Sequence, residues 1–216
     1  MTEPAHLADT RHAYDTVARD YATLLPGLTV ETTLDVAVLD DFIRRCHSVN
    51  SGPVADIGCG AGRVSTYLAV HGLDVTGFDL SPQMIDTARS AHPDLPFHVA
   101  SLDALPLPDA NLTGILAWYS IIHTPPGELS VVAGECARVL EPGGHLLVAF
   151  QSGTGERVER ASGYGHVVDF VNYRHDPDHL TTILGEADLD VLVRLDRAAV
   201  DHERTPQCLI LARKRS

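Results

Sequence analysis

The chain has 216 residues, 44% hydrophobic and 21% charged, which reads as soluble and globular and fits one domain with a full core. Its 29 acidic residues outnumber 16 basic ones for a net charge of −13, poorly suited to gripping a phosphate backbone, where cations must displace counterions. The four cysteines (Cys46, Cys59, Cys136 and Cys208) form no C-x-x-C pair, so neither zinc spacing nor a disulfide framework is expected. The opening "MTEPAHLADT" lacks a basic-then-apolar signal pattern, and no apolar run approaches membrane-spanning length. The expected location is therefore the reducing cytoplasm.

Along the chain, "YDTVARDYATLL" places Tyr14, Val17, Tyr21 and Leu24 on one helical face, and 32–46 reads as a second helix with Leu34, Val38, Leu39, Phe42 and Ile43 inward. The "NSGP" at 50–53 breaks the chain. Strand and helix then alternate. "VADI" is a buried strand, "RVSTYLAVHG" a helix closed by Gly72, and "LDVTGFD" a strand. "SPQMIDTARSA" is a helix with Ser81 as N-cap and Pro82 in its first turn. "PFHVA", "LTGILAW" and "GGHLLVAF" are further strands, with a helix over 125–140 between the last two. Strands separated by helices pair in parallel, which predicts a doubly wound α/β sheet.

Beyond Phe150 the rhythm changes. The stretch 151–175 reads as a glycine- and charge-rich insertion, an extended strand or hairpin over the sheet's edge that contains the alternating "HVVDFVNY". A helix over 178–187 and the strands "LDVLVRLD" and "QCLILAR" complete a single domain. It has a helical cap at 1–50, a core at 53–150, a cover at 151–175 and a closing unit at 176–216.

The chemistry concentrates in "VADIGCGAGRVS". Gly58, Gly60 and Gly62 lie between a strand and a helix, where the backbone must turn sharply and admit a ligand closely. A dinucleotide fingerprint would place its third glycine at position 63, which is Arg63 here. Asp56, two residues before the first glycine, would repel a pyrophosphate but suit an ammonium or sulfonium. Asp79 ends the next strand, 21 residues after Gly58, where a carboxylate accepts both hydroxyls of a ribose. Ribose, positive charge and no phosphate together describe S-adenosylmethionine.

Several segments in order resemble the class I S-adenosylmethionine-dependent methyltransferases. "VADIGCGAGRVS" is similar to their first motif, "VTGFDLSPQMI" to the second, "VASLDALPLPDANLTGILAWYSIIH" to the third and fourth, and "ECARVLEPGGHLLVAF" to the helix and strand that follow. The resemblance covers 14–150 well and the remainder loosely. It implies a Rossmann-like sheet of seven strands, the last antiparallel, under a helical N-terminal lid. It also implies that Asp56, Gly58, Gly60 and Arg63 surround the methionine part and Asp79 the ribose. Leu80 and Met84 would lie near the adenine, Leu102 and Asp103 at the adenine edge, and Trp118 and Tyr119 beside the cofactor. Tyr14 and Tyr21 match the opening helix that closes over cofactor and acceptor in small-molecule members, a hydroxyl reaching the methionine carboxylate and a ring facing the sulfonium.

His123 follows the fourth strand, at the carboxyl edge of the sheet where sites lie in such folds, and is the leading general-base candidate. Its alternative is a residue that starts the next helix. His166, in the cover, is the second candidate, with Asp169, Tyr173 and His175 as further lining. His175 and His179 would share a helical face, but Pro177 between them argues against a metal pair. The "TPPG" at 124–127 lacks the aromatic that stacks on a flipped base, so a small-molecule acceptor is expected and nucleic acid is not. Two alternatives stand beside methyl transfer to oxygen or nitrogen. One is a protein of this fold that binds the cofactor without methylating; the other is an NAD-dependent oxidoreductase. Oligomeric state is left open.

Overall fold

The computed structural model describes residues 4–48, 52–200 and 202–216. Two helices come first, α1 (Ala5–Leu24) and α2 (Thr33–Ser48). Then β1 (Val54–Ile57), α3 (Arg63–Val70), β2 (Val75–Asp79), α4 (Pro82–Ala91), β3 (Phe97–Val99) and β4 (Leu112–Trp118) alternate. Two short 3-10 turns at 121–123 and 126–128 lead into α5 (Leu129–Val139) and β5 (Leu140–Gln151). The chain closes with β6 (Glu156–Arg160), β7 (Phe170–Arg174), α6 (Pro177–Glu186), β8 (Leu189–Arg197) and β9 (Gln207–Lys214). No helix among the described residues is long and apolar enough to cross a membrane.

The seven-stranded sheet runs β3-β2-β1-β4-β5-β9-β8. The first five strands pair in parallel, and β9 lies antiparallel to both β5 and β8. The expected Rossmann-like sheet is thus present, with its topological switch between β1 and β4 at the centre, the place where such sheets open a crevice. Alternation along the strands builds two cores. Ile115, Ala117, Leu146, Val148, Phe150, Ile210 and Ala212 pack under α5 and α6. Leu116, Trp118, Leu147, Ala149, Leu209 and Leu211 pack under α2 and α3.

Several boundaries differ from expectation, each for a local reason. The lid helix starts nine residues earlier than Tyr14, at Ala5, and its Leu24 is exposed because the helix ends before Pro26. In α2 it is Asp35, not Leu34, that turns inward. Asp35 Oδ2 accepts the Thr32 N–H at 2.8 Å while Thr32 Oγ1 accepts the Asp35 N–H, a reciprocal cap closing the first turn. The helix expected over 125–140 is one 3-10 turn and an eleven-residue helix, since Pro125 and Pro126 donate no N–H and Leu140 already belongs to β5. The break at 50–53 lies partly outside the described residues.

The insertion is a separate two-stranded ribbon, β6 with β7. It lies over the carboxyl ends of the strands, not the sheet's edge, and packs against α1, β5 and the 121–123 turn. Backbone bonds from Gly153 N–H to His175 O (2.9 Å) and from His175 N–H to Gln151 O (2.9 Å) bend it back over the sheet.

Candidate active site

A cavity of about 450 Å³ opens at the carboxyl ends of β1, β2, β4 and β5, within the size range of small-molecule sites. Its floor begins at the glycine turn. Gly58 has φ +72° and Gly60 φ +54°, both left-handed. A Cβ on Gly58 would sit 2.2 Å from Ser120 Cβ, and one on Gly60 would meet the Tyr21 ring at 3.5 Å. Glycine here serves both the turn and the close approach. At the end of β4, Tyr119 also has positive φ, +56°, a strained setting for a tyrosine that aims the loop into the cavity.

Asp79 stands at the cavity wall. Its Oδ2 accepts the Gly60 N–H and its Oδ1 the Ser81 N–H, both at 2.8 Å, which locks the carboxylate across the mouths of β1 and β2. Burial raises its pKa to about 6 despite these bonds. Leu80, Leu102 and Trp118 line the same cavity, as do Tyr14, Tyr21 and Arg63.

Arg63 does not present a free cation there. Its Nη1 donates to Glu31 Oε1 at 2.6 Å and to the Gly27 carbonyl at 3.0 Å. Trp118 Nε1 donates to the same Glu31 oxygen at 3.0 Å. The Glu31 side chain is only 2% exposed, yet its second oxygen, Oε2, has no partner. Sequence reasoning misses Glu31 because it sits in an aperiodic loop after Pro26-Gly27, with nothing local to mark it. Its partners come from α3 and β4, 32 and 87 residues away.

Four expected site residues lie outside the cavity wall. Asp56 is 1% exposed and faces α3, where its Oδ2 accepts the Ser65 hydroxyl at 2.6 Å, so it supports the turn from behind. Met84 is fully buried among Ala13, Val17, Ala61 and Phe170, packing the lid onto α4. Asp103 is half-exposed in the turn bridging Ser101 and Ala104 and does not line the cavity. His166 reaches the outer side of the lid, where Nε2 lies 2.6 Å from Asp20 Oδ2. The cover residues Asp169, Tyr173 and His175 also miss the cavity. The ribbon's register turns the even-numbered Asn172 and Arg174 inward, and a slip of one residue reverses every face. His175 is buried against the Ile121 carbonyl at 2.9 Å, while α6 begins at Pro177 behind an Asp176 cap, so His175 and His179 share no helix.

His123, by contrast, is at the cavity, partly buried, with both ring nitrogens engaged. Nδ1 lies 2.7 Å from the Val171 carbonyl, and Nε2 lies 2.7 Å from the Tyr14 hydroxyl. A carbonyl only accepts, so Nδ1 carries the proton and Nε2 accepts the Tyr14 O–H. Burial, aided by Arg160, lowers the His123 pKa to about 4, and burial raises that of Tyr14 well above its ordinary value. The pair is therefore neutral imidazole and neutral phenol at ordinary pH. This bond also directs the Tyr14 hydroxyl to His123 and away from the methionine carboxylate expected to receive it.

The lid is pinned by polar contacts that sequence separation hides. Asp15 Oδ1 accepts the Ser81 hydroxyl at 2.6 Å and the Gln83 N–H at 3.1 Å, at the start of α4. Beyond Tyr119, Arg197 joins Asp35 and Glu203 in a buried ion cluster at 2.6–2.8 Å.

Residues 54–144 match the family model described as "Methyltransferase domain". Residues 54–144 are thus a methyltransferase domain, and the strand order is that of the class I S-adenosylmethionine-dependent methyltransferase fold. The chain is 28% identical over 137 residues to a demethylmenaquinone methyltransferase of Chlorobaculum parvum, covering 62% of this chain and 56% of that protein. The chain spans about half the length of the curated relatives it matches. Among solved structures, magnesium protoporphyrin IX methyltransferase from Synechocystis with bound cofactor shares the fold at TM-score 0.72 and 16% identity, over 99% of both chains. The 4+2 cyclase SpnF shares it at TM-score 0.72 and 17% identity, over 100% of this chain and 98% of that one.

Proposed function

We propose that this chain transfers the methyl group of S-adenosylmethionine to an oxygen or nitrogen of a small-molecule acceptor. The observation that carries the reading is the charge of the glycine-turn wall. Asp79 and Glu31 are both acidic there, and the neighbouring cation, Arg63, is already consumed by Glu31. A pyrophosphate would meet net negative charge at that point, whereas a cationic amino-acid nucleoside meets attraction, which disfavours a nicotinamide dinucleotide. The unpartnered Glu31 Oε2 fits the same ligand, since a buried carboxylate oxygen calls for an N–H donor such as an ammonium.

In this reading Asp79 holds the ribose hydroxyls, Gly58 and Gly60 give the backbone room for the amino-acid end, and Leu80 and Leu102 flank the base. The Tyr21 ring closes over Gly60. The cofactor supplies an electrophilic methyl on sulfur. The protein supplies alignment and a path for the acceptor's proton. For a hydroxyl acceptor, that proton goes to Tyr14 Oη as the Tyr14 proton moves along its 2.7 Å bond to His123 Nε2. The His123 Nδ1–H stays on the Val171 carbonyl throughout and fixes the ring. An amine acceptor would need the path only after transfer.

A cyclase shares the fold, so the fold does not by itself dictate methyl transfer, and one second reading is that the cofactor is bound but not consumed. Two measurements test the proposal. Thermal shift should show stabilisation by S-adenosylhomocysteine and none by NADH. Label from methyl-labelled cofactor should pass into a panel of phenols, amines and carboxylic acids. Stabilisation without transfer to any acceptor would favour the second reading; stabilisation by NADH alone would remove both.

A further inference from the structure

The cavity is polarised, and its second pole lies on the ribbon. In the antiparallel register Glu156 opposes Arg174, Val158 opposes Asn172 and Arg160 opposes Phe170. Directly opposed residues share a face, so Arg160, Val158, Asn172 and Arg174 gather on one side, and all four line the cavity. Glu159 also touches the cavity, and its charge is taken up by Arg157 two residues away on β6. Arg160 and Arg174 stand about 13 Å apart along the ribbon, four residues at the usual strand rise.

Neither arginine has a carboxylate partner among the described residues. Glu156, the cross-strand neighbour of Arg174, accepts the Thr154 N–H on Oε2 at 2.7 Å and feels Arg174 only as a nearby charge, without an ion pair. The Arg160 guanidinium lies 5.5 Å over the Phe170 ring and beside the Tyr164 hydroxyl. Elsewhere Arg63, Arg138, Arg194, Arg197 and Arg215 are each neutralised by an acid within 3 Å. In a chain with 29 acids, two ribbon guanidinium groups that face one cavity and form no ion pair with a carboxylate are a specific arrangement. Between them Asn172 is 6% exposed, and its Oδ1 has no partner. A buried amide oxygen in that condition is completed by a ligand O–H or N–H.

We propose that the methyl acceptor is an organic acid whose carboxylate is held by Arg160 and Arg174 on the ribbon. This rests on the proposed methyl transfer, in which the acidic pole at Asp79 and Glu31 takes the cationic donor. The two poles then seat donor and acceptor by opposite charge, with Tyr14 and His123 between them. Guanidinium forks suit a carboxylate because they bind both its oxygens in one plane.

Calorimetry on the full chain saturated with S-adenosylhomocysteine tests it. The probes are para-hydroxybenzoate, protocatechuate and para-hydroxyphenylacetate, each against its primary amide, which keeps shape and removes charge. At least one acid should bind about tenfold or more tightly than its amide, and the preference should weaken with added salt. In the Arg160→Gln, Arg174→Gln variant the preference should fall below about twofold while affinity for S-adenosylhomocysteine is retained. Acids and amides binding alike in the unaltered protein would overturn the assignment, a result that needs no variant to fold. So would a preference that survives in the variant, or no acid binding to protein that still takes S-adenosylhomocysteine. Failure of S-adenosylhomocysteine itself to bind is a separate result, which overturns the donor reading and this assignment with it.

Discussion

Replacing Asp79 with asparagine keeps the size of the side chain and removes its charge. In the unaltered protein both carboxylate oxygens accept backbone N–H groups at 2.8 Å, from Gly60 and from Ser81. An amide offers one oxygen and one NH2, so one of those N–H groups must face another donor. Leaving a buried donor unsatisfied costs about 1–3 kcal/mol. Hydrogen bonds from ribose hydroxyls to an ionised group are worth about 1.5–3 kcal/mol, roughly twice their neutral counterparts. The loss of binding is therefore about 1.5–3 kcal/mol, or roughly 10- to 100-fold in Kd for S-adenosylhomocysteine.

The pH dependence sharpens the test. The Asp79 pKa is raised to about 6, and the ligand prefers the ionised form, so affinity should fall as pH drops through that value, by up to about tenfold per unit. In Asp79→Asn that slope should vanish. Asp56 is the control: its pKa is also pushed to about 6 by burial, yet it lies behind the turn on Ser65. Asp56→Asn retains an oxygen for the Ser65 hydroxyl and relieves a buried charge, so Kd should change by less than about threefold and stability at pH 8 should hold or rise. Isothermal titration between pH 5 and 8 reads all three proteins. An Asp79→Asn variant that binds within twofold of the unaltered chain, or a pH slope that tracks Asp56, would refute the placement of the ribose on Asp79.

The same contacts set further expectations. Because His123 stays neutral down to about 4, kcat at saturating cofactor on a hydroxyl acceptor should show no inflection near 6.5; an inflection there would exclude it from the proton path. Tyr14→Phe removes the partner of a buried ring nitrogen, so it should cost about 1–3 kcal/mol in stability and lower kcat more than it raises the cofactor KM. Arg197→Met strands Asp35 and Glu203, two buried acids, at a cost of about 3–5 kcal/mol. For a chain of this size that is a fall in Tm of roughly 10 °C by circular dichroism, and a change under 2 °C would contradict the burial argument. Gly58→Ala drives a Cβ into Ser120 and should weaken S-adenosylhomocysteine binding by tenfold or more, while Gly127→Ala, which meets nothing within 4 Å, should leave it unchanged.

The local order of strands and helices, the glycine turn and the carboxylate at the end of β2 are all legible along the chain. Each is a short-range pattern: period-two and helical apolar spacing, a cap at Ser81, and a fixed interval from Gly58 to Asp79. His123 is legible for the same reason, since it comes a few residues after β4 at the edge where such sheets bind ligands. Pairings made across the fold are not legible. Glu31 meets Arg63 and Trp118 only once a loop, a helix and a strand converge. Tyr14 reaches His123 across 109 residues, and the bond that joins them decides the protonation state of both. The ribbon's inward face differs by one residue from the expected one, because alternation in "HVVDFVNY" shows that two faces exist but not which one meets the cavity. That choice depends on where the backbone bends at Gly153 and His175, a tertiary fact, and it places Asn172 and Arg174 inside and Tyr173 outside.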